Sequence, residues 1–134
     1  MNAEQTALTG EARTLYGRRR YLPNIHSANP ARSNEARRQA VNTIIQGTAA
    51  DLIKLALIRL NLELPPKVRM LMTVHDSVLL EVPEDLVTEV RQQVIEGMQT
   101  PPPGFTVPIM ADVGTGRTWA ACKKEGNVGA RLAA

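Results

Sequence analysis

The sequence is poor in aromatic residues and in cysteine. Only four of its 134 residues are aromatic, so a buried core has to come from Leu, Ile, Val, Met and Ala. The single cysteine, Cys122, excludes an internal disulfide and a cysteine zinc cluster, which fits a reducing compartment. The first residues lack the basic start and apolar block of a signal peptide, and no uninterrupted apolar run approaches membrane-spanning length. We therefore expect a cytoplasmic protein with no membrane partner, of a length that suits one domain with one core.

Acidic residues are scarce in the N-terminal quarter. Residues 13–38 hold seven arginines against one acid, Glu35, whereas the whole chain has a net charge of only +3. A basic segment of this kind indicates a polyanionic partner, although arginine-rich loops can also serve solubility alone. The choice of arginine favours the partner, because a guanidinium fork grips phosphates and base edges better than an ammonium group.

Hydrophobic periodicity predicts an α+β fold. Ser33 or Asn34 are suitable N-caps for a long helix that ends before Pro65-Pro66. The expected elements are an antiparallel sheet, with the hairpin 68–82 and strands near 14–22 and 107–113, and helices over about 34–62 and 84–98 on one face. The expected organisation is a flexible lead-in over 1–12, one domain over 13–122 and a disordered tail over 123–134.

Three hydrogen-bond donors recur with a spacing of four along the long helix. Arg38, Asn42 and Gln46 therefore share one helix face, one turn apart. Such a stripe is usually a solvated face. The alternative is a comb of donors laid along the minor groove of a duplex, where both orientations of an A·T pair present the same acceptors.

The segment His75-Asp76-Ser77 separates two apolar runs that both have the character of strands. A tight hairpin with these polar residues at its tip is predicted. Turns favour Asp for conformational reasons alone. A carboxylate fixed between two core strands is also well placed to bind Mg²⁺, which commonly uses one or two carboxylates with phosphate oxygens and water.

Small residues interrupt the long helix at Gly47-Thr48-Ala49-Ala50, just before Asp51. Small side chains let another backbone approach a helix closely, and a close helix contact is the simplest role for this segment. Asp51 is expected to bond locally.

The order of these motifs resembles the C-terminal palm portion of a family A DNA polymerase, of the bacterial DNA polymerase I type. The resemblance covers roughly residues 10 to 122. Its motifs are Thr14-Leu15-Tyr16-Gly17-Arg18-Arg19-Arg20, then Arg38-x3-Asn42-x3-Gln46-Gly47-Thr48-Ala49-Ala50-Asp51, then Val74-His75-Asp76, and finally Val107-Pro108 with Trp119.

The resemblance implies a function in DNA-directed DNA synthesis. Asp76 would be a catalytic ligand of Mg²⁺ in a two-ion site, and His75 would lie near the primer terminus. The implied chemistry is attack of the primer 3′ hydroxyl on the α-phosphate of a deoxynucleoside triphosphate. Duplex contacts are implied for Arg38, Asn42, Gln46 and His75 and, with a structural role as the alternative, for Arg18 and Arg19.

The sequence also departs from the family pattern. Ser77 stands where the family usually has Glu, and Arg37 stands where an acid commonly precedes the arginine that matches Arg38. The family's other catalytic Asp and its fingers helix have no match in these residues. We therefore expect a second polymerase chain to supply them in a bacterial or phage-infected cell, with little activity from this chain alone. The alternatives are a catalytically inactive module that binds primer–template DNA, and a gene remnant.

Overall fold

The computed structural model describes Thr6, residues 9–122 and the backbone of residues 131–133. The chain divides into two compact units, Met1–Asp51 and Leu52–Ala134. The elements are β1 (Glu11–Arg13), β2 (Arg19–Tyr21), α1 (Pro30–Glu63), β3 (Arg69–Val74), β4 (Ser77–Glu81), a 3₁₀ helix (Glu84–Leu86), α2 (Val87–Gln99), β5 (Gly114–Gly116), α3 (Trp119–Cys122) and β6 (Arg131–Ala133).

The N-terminal unit contains a hairpin where a single strand near 14–22 was predicted. Strands β1 and β2 pair antiparallel in a sheet of their own, so this part of the predicted palm sheet is wrong. The chain reverses because Gly17 adopts a positive φ of 83° and the amide of Arg18 donates to Thr14 Oγ1 at 3.1 Å. The predicted lead-in also ends too late, since Glu11 and Ala12 already belong to β1 and Ala12 is fully buried.

Helix α1 begins earlier than predicted. Asn29 Oδ1 accepts a hydrogen bond from the Ala31 amide at 2.9 Å, and Pro30 occupies the first turn. Asn29 therefore caps the helix in place of Ser33 or Asn34, with proline at a position that needs no amide donor. Ser33 instead donates through Oγ to the Ile25 carbonyl oxygen at 3.0 Å. The helix ends at Glu63, one residue beyond the predicted end.

The C-terminal unit is built on a four-stranded sheet with the order β3-β4-β6-β5. Strands β3 and β4 pair antiparallel, which confirms the predicted hairpin, whereas β6 pairs parallel with both β4 and β5. The α+β class is confirmed, but the sheet is mixed. Of the predicted tail, residues 131–133 form β6, and residues 123–130 and 134 lie outside the described residues.

One face of β4 carries the core of the C-terminal unit. Val78 and Leu80 alternate inward on this face and pack with Leu60 from the last turns of α1 and with Val90 and Val94 from α2. Both helices therefore cover the same face of the hairpin, as predicted. The N-terminal unit has its own buried cluster, formed by Ala12, Leu22, Ile25, Ala36 and Ala40. The structure thus has two clusters rather than the single core expected from the length.

Residues 107–113 do not form the predicted strand. Ala111 and Val113 are buried in the core, so the alternation of apolar residues is real, but the segment has no strand partner among the described residues. Pro108 carries no amide hydrogen and so could not donate to a strand ladder at this position. The strand of this region is the short β5, Gly114–Gly116.

Strand β3 lies at the edge of the sheet formed by the described strands. Its side chains are exposed, including Met70, Leu71 and Met72. The pairing register shifts between Met70 and Met72, a bulge that partly blunts the edge. The edge therefore presents apolar side chains to solvent.

Helix α1 is long and apolar enough to cross a membrane by length and composition alone. Core helices of soluble proteins meet the same criteria. The expected absence of a membrane partner stays a prediction.

We expect Leu60→Ala to lower the free energy of unfolding by about 3 kcal/mol, because Leu60 is fully buried and its removal leaves a cavity. Leu62→Ala, two residues further along the same helix, is the matched control. Leu62 is 78% exposed, and its replacement should cost at most about 0.5 kcal/mol. Urea unfolding followed by far-UV circular dichroism measures both, and equal losses would contradict the assigned core.

Candidate functional site

The predicted donor stripe lies open on helix α1. Arg38, Asn42 and Gln46 are all exposed, whereas Ala36 and Ala40 of the same helix are buried in the N-terminal cluster. The ion pairs found among the described residues do not include Arg38. This face of the helix is therefore accessible to a large ligand. The helix packs against the N-terminal cluster through other residues, Ala36 and Ala40.

Two of the predicted DNA-binding arginines make local contacts. Arg18 donates through Nε to Asp51 Oδ1 and through Nη2 to the Gly47 carbonyl oxygen, both at 2.7 Å. The Arg19 guanidinium carbon lies 5.8 Å from the centroid of the Tyr21 ring, in cation–π range. Arg19 remains about half exposed. Its charge is accessible from solvent, whereas the fork of Arg18 is engaged by the helix.

The arginine run and helix α1 together line a groove of about 500 Å³. Asn42 and Gln46 line its helix side together with Gly47, and the arginines line the opposite side. The structure thus brings together two groups that the sequence presented as separate motifs. Arg38 does not line the groove but lies one turn before Asn42 on the same exposed stripe.

Arg20 also lines the groove, although the sequence reasoning did not assign it to the site. It reaches across to α1, where Nη1 lies 3.4 Å from Thr43 Oγ1 and Nη2 lies 3.4 Å from Gln39 Oε1. The signal was present in the run of three arginines. Three identical residues in a row show no alternation of polarity, so the sequence did not indicate which arginine would contact the helix. In the structure all three side chains are exposed.

His75 and Asp76 form the turn of the predicted β3–β4 hairpin, whereas Ser77, predicted at the tip with them, is the first residue of β4 and pairs with Val74. His75 has a φ of 57° and is the only non-glycine residue with positive φ among the described residues. The first position of such a turn normally holds glycine when φ is positive. Left-handed backbone costs an ordinary residue roughly 1–2 kcal/mol, and such outliers cluster at functional sites.

The Asp76 carboxylate is exposed at the tip of this turn. It takes no part in the ion pairs of the described residues, so no local arginine neutralises it. Ser77 closes the turn by donating through Oγ to the Val74 carbonyl oxygen at 2.9 Å. The serine proton is therefore directed into the hairpin rather than towards a ligand of Asp76.

Asp76 fits a metal site only as a single ligand. Carboxylate oxygen is the ligand type that Mg²⁺ prefers. Within residues 9–122, no group of three or more His, Cys, Asp or Glu side chains is arranged to hold a metal ion. One accessible carboxylate at a rigid position is compatible with a site whose other ligands come from elsewhere.

The segment from Gly47 to Asp51 makes the close helix contact that its small residues indicate. Its partner is the turn Thr14–Arg18, which sequence reasoning did not identify. Besides the two bonds from Arg18, the Leu15 amide donates to Thr48 Oγ1 at 3.1 Å. The Asp51 carboxylate accepts a hydrogen bond from Arg18, which is 33 positions away, so the expectation that Asp51 bonds locally is wrong for this contact.

Comparison with known proteins identifies relatives of nearly the whole chain. The family model for DNA polymerase family A matches residues 2–121. The thermostable DNA polymerase I of Thermus filiformis is 41% identical over 123 residues, which are 91% of this chain and 15% of that protein. DNA polymerase I of Pseudomonas aeruginosa is 41% identical over 121 residues, which are 86% of this chain and 13% of that protein.

A solved structure agrees with these relatives. The POL domain of Pol1 from M. smegmatis, in complex with DNA primer-template and dNTP, is 38% identical with a TM-score of 0.72. The match covers 80% of this chain and 19% of that chain. The chain therefore spans about one seventh of the length of the curated relatives quoted above. Since the family model covers nearly the whole of it, this chain belongs to DNA polymerase family A.

Proposed function

We propose that this chain is the palm portion of a DNA-directed DNA polymerase, where it holds the primer–template duplex and contributes one carboxylate to the catalytic metal site. The observation that carries the proposal is the family match over residues 2–121. The exposure of the donor stripe and of the hairpin tip supports it, because both groups are accessible to a ligand. The activity, the substrates and the partners are proposals for this chain.

Duplex binding would use the stripe on α1. Asn42 and Gln46 can each donate through an amide group, and Arg38 adds a charged fork. Donors at this spacing match the minor-groove acceptors that all base pairs share, so contact would not depend on sequence. Arg19 and Arg20, which line the groove beside the stripe, would add charge attraction for the phosphate backbone.

Asp76 would hold Mg²⁺ together with ligands from outside these 134 residues. When bound, the metal would polarise the phosphoryl group and favour the ionised primer hydroxyl. The contribution of this chain is to fix one carboxylate on a two-residue turn, so that its position varies little. The substrates would be primer–template DNA and deoxynucleoside triphosphates.

His75 would act as a positioning and binding group at the primer terminus. Its left-handed backbone supports this role, since glycine would fit the turn with less strain. An imidazole at this position presents a hydrogen-bonding side chain next to Asp76. We infer that the side chain, rather than the turn geometry, is the reason for histidine here.

The remaining parts of the polymerase would come from polypeptide outside this sequence, which we propose to be a second chain that carries the other palm Asp and the fingers. The open edge of β3 supports a partner strand, because Met70, Leu71 and Met72 are exposed there. Such a complex would work in the cytoplasm at the nucleoid. Complementation in trans tests the arrangement.

A duplex-binding module without catalysis is the second candidate function. Ser77 favours it, because its hydroxyl is used inside the hairpin and adds no charge beside Asp76. Primer extension by a mixture of this chain with the missing palm and fingers elements would support the enzyme. Duplex binding without extension in that mixture would support the module.

We expect Asp76→Ala to reduce primer extension by the complemented enzyme at least roughly 100-fold, because a metal ligand is lost. Duplex affinity should change less than about twofold, since an exposed carboxylate removed from the site only relieves repulsion of phosphates. Asp112→Ala, at another exposed Asp of the same unit, is the control and should leave extension intact. Unchanged extension by Asp76→Ala would refute the metal role.

We expect His75→Gly to raise the free energy of unfolding by about 1 kcal/mol, because glycine relieves the positive φ of 57°. Primer extension should nevertheless fall. His75→Ala removes the same side chain but keeps the strained backbone, so it should lose activity without gaining stability. Urea unfolding and primer extension are measured in parallel, and full activity in His75→Ala would remove the side chain from the site.

We expect Gln46→Ala to weaken duplex binding by about threefold to tenfold, the effect of one lost hydrogen bond. The salt dependence of binding should be unchanged, because a neutral amide releases no counterions. Gln92→Ala on α2 is the control, since Gln92 is exposed and bonds Glu96 of its own helix. Fluorescence anisotropy with a labelled primer–template duplex measures both. Equal affinities for the two variants would contradict the stripe.

A further inference from the structure

The turn Thr14–Arg18 is fastened to helix α1 at three points. The Leu15 amide donates to Thr48 Oγ1, and Arg18 bonds Asp51 and the Gly47 carbonyl oxygen. These acceptors lie within one and a half turns of the helix, directly after Gln46. The turn is thus held against the end of the donor stripe.

The two nitrogens of Arg18 that face the helix both donate hydrogen bonds. Nε donates to the Asp51 carboxylate and Nη2 donates to the Gly47 carbonyl oxygen, each at 2.7 Å. The Asp51 side chain is only 11% exposed, whereas the Arg18 side chain is 48% exposed, so the carboxylate is the shielded partner of this pair. A phosphate would have to compete with Asp51 for Arg18, which makes Arg18 a poor phosphate ligand.

Gly47 permits this close approach. A Cβ at position 47 would lie 2.6 Å from Thr14 Cγ2 and 3.5 Å from Arg18 Nη2. Thr14 can move its methyl group away only by rotating χ1, which takes Oγ1 from the Arg18 amide. The glycine is therefore needed for packing between the turn and the helix rather than for an unusual φ.

We infer that Arg18 and Asp51 are positioning residues, which hold the start of β2 so that Arg19 and Arg20 face Asn42 and Gln46 across the groove. This inference rests on the proposed duplex binding. It replaces the predicted direct DNA contact of Arg18 with an indirect one. The clamp sets the width of the groove, and the neighbouring arginines carry the phosphate attraction.

The inference and simple electrostatics predict opposite signs for Asp51→Asn. Removal of a negative charge near a polyanion raises affinity when the charge acts only through the field. Loss of the clamp lowers affinity because the arginine run moves. We expect Asp51→Asn to bind a labelled primer–template duplex at least roughly fivefold more weakly than the unchanged chain.

A surface pair in the other unit is the matched control. Arg117 Nη2 lies 2.7 Å from Glu84 Oε1, and both side chains are mostly exposed. Glu84→Gln removes the same charge as Asp51→Asn, and Arg117→Lys makes the same exchange as Arg18→Lys. Both control variants should keep duplex affinity within about twofold.

Arg18→Lys separates a clamp from a phosphate contact. Lysine keeps the charge but cannot donate to Asp51 and to the Gly47 carbonyl oxygen with the geometry of a fork. A clamp predicts an affinity loss close to that of Arg18→Ala. A phosphate contact predicts a clearly smaller loss than that of Arg18→Ala and an unchanged salt dependence, because the lysine charge still attracts phosphate. Gly47→Ala changes no charge and should weaken binding as well, although alanine favours the helix itself.

Anisotropy titrations at several salt concentrations measure all variants, and far-UV circular dichroism with thermal melts checks that each is folded. Weaker binding by Asp51→Asn and Arg18→Lys, with unchanged controls, supports the clamp. Equal or tighter binding by Asp51→Asn overturns it while the proposed duplex binding stands. Absence of salt-dependent binding by the unchanged chain instead refutes the proposed duplex contact itself. Should Asp51→Asn unfold, Arg18→Lys alone decides between the same outcomes.

Discussion

The lack of a Cβ atom at Gly47 is the constraint on which the proposed interface depends. Helix α1 is approached by a turn that leads into three arginines in succession, and any Cβ at Gly47 would meet Thr14 at 2.6 Å. Because the turn can approach the helix closely there, the Leu15 amide and the Arg18 fork find acceptors at Thr48 and Asp51, one and four residues further along the helix. The turn and the helix together line the groove beside Asn42 and Gln46.

Charge distribution explains why the turn needs an acid as well as a glycine. Arginines at 18, 19 and 20 repel one another, and a loop that collects them would be costly without compensation. The Asp51 carboxylate pairs with the first of them at 2.7 Å, and the Glu11 carboxylate lies 3.9 Å from the second. What remains for a ligand is the charge on the outer side of the groove. Under the proposed duplex binding, structural and binding roles are divided among these three consecutive arginines.

Much of the fold was predictable because its strongest signals are local. The hairpin 68–82 was recognisable from two apolar runs around three polar residues, and both helices from their periodicity and the prolines that follow α1. The turn at Thr14–Arg18 was not, because its geometry depends on Thr14 bonding the Arg18 amide rather than on a recognisable pattern. The start of α1 was misplaced because Ser33 and Asn34 are good caps in isolation, while the fold uses Asn29. Ala111 and Val113 alternate as a strand would, yet they are buried without a ladder.

The residue types of the candidate site were predictable, but which arginines contact the helix and which remain accessible to a ligand was not. Spacing placed Arg38, Asn42 and Gln46 on one face, and nothing in the structure engages that face within the described part of the chain. The sequence could not show that the Arg18 guanidinium pairs with Asp51, since these residues are 33 positions apart. It also could not show the positive φ of His75, because turn type depends on the register of both strands.

The hairpin tip shows how one carboxylate of the proposed metal site is compatible with a stable fold. Two carboxylates that share a metal repel each other when the metal is absent, and a fold that carries both has to tolerate that repulsion. Here Asp76 is exposed and shares its turn with His75 and Ser77, so it imposes no buried charge on the hairpin. The exposed apolar surface lies on β3 instead, whose edge leaves Met70, Leu71 and Met72 exposed. Under the proposed function, a partner strand would cover this apolar surface, and strand pairing would not have to wait for a metal ion to bind.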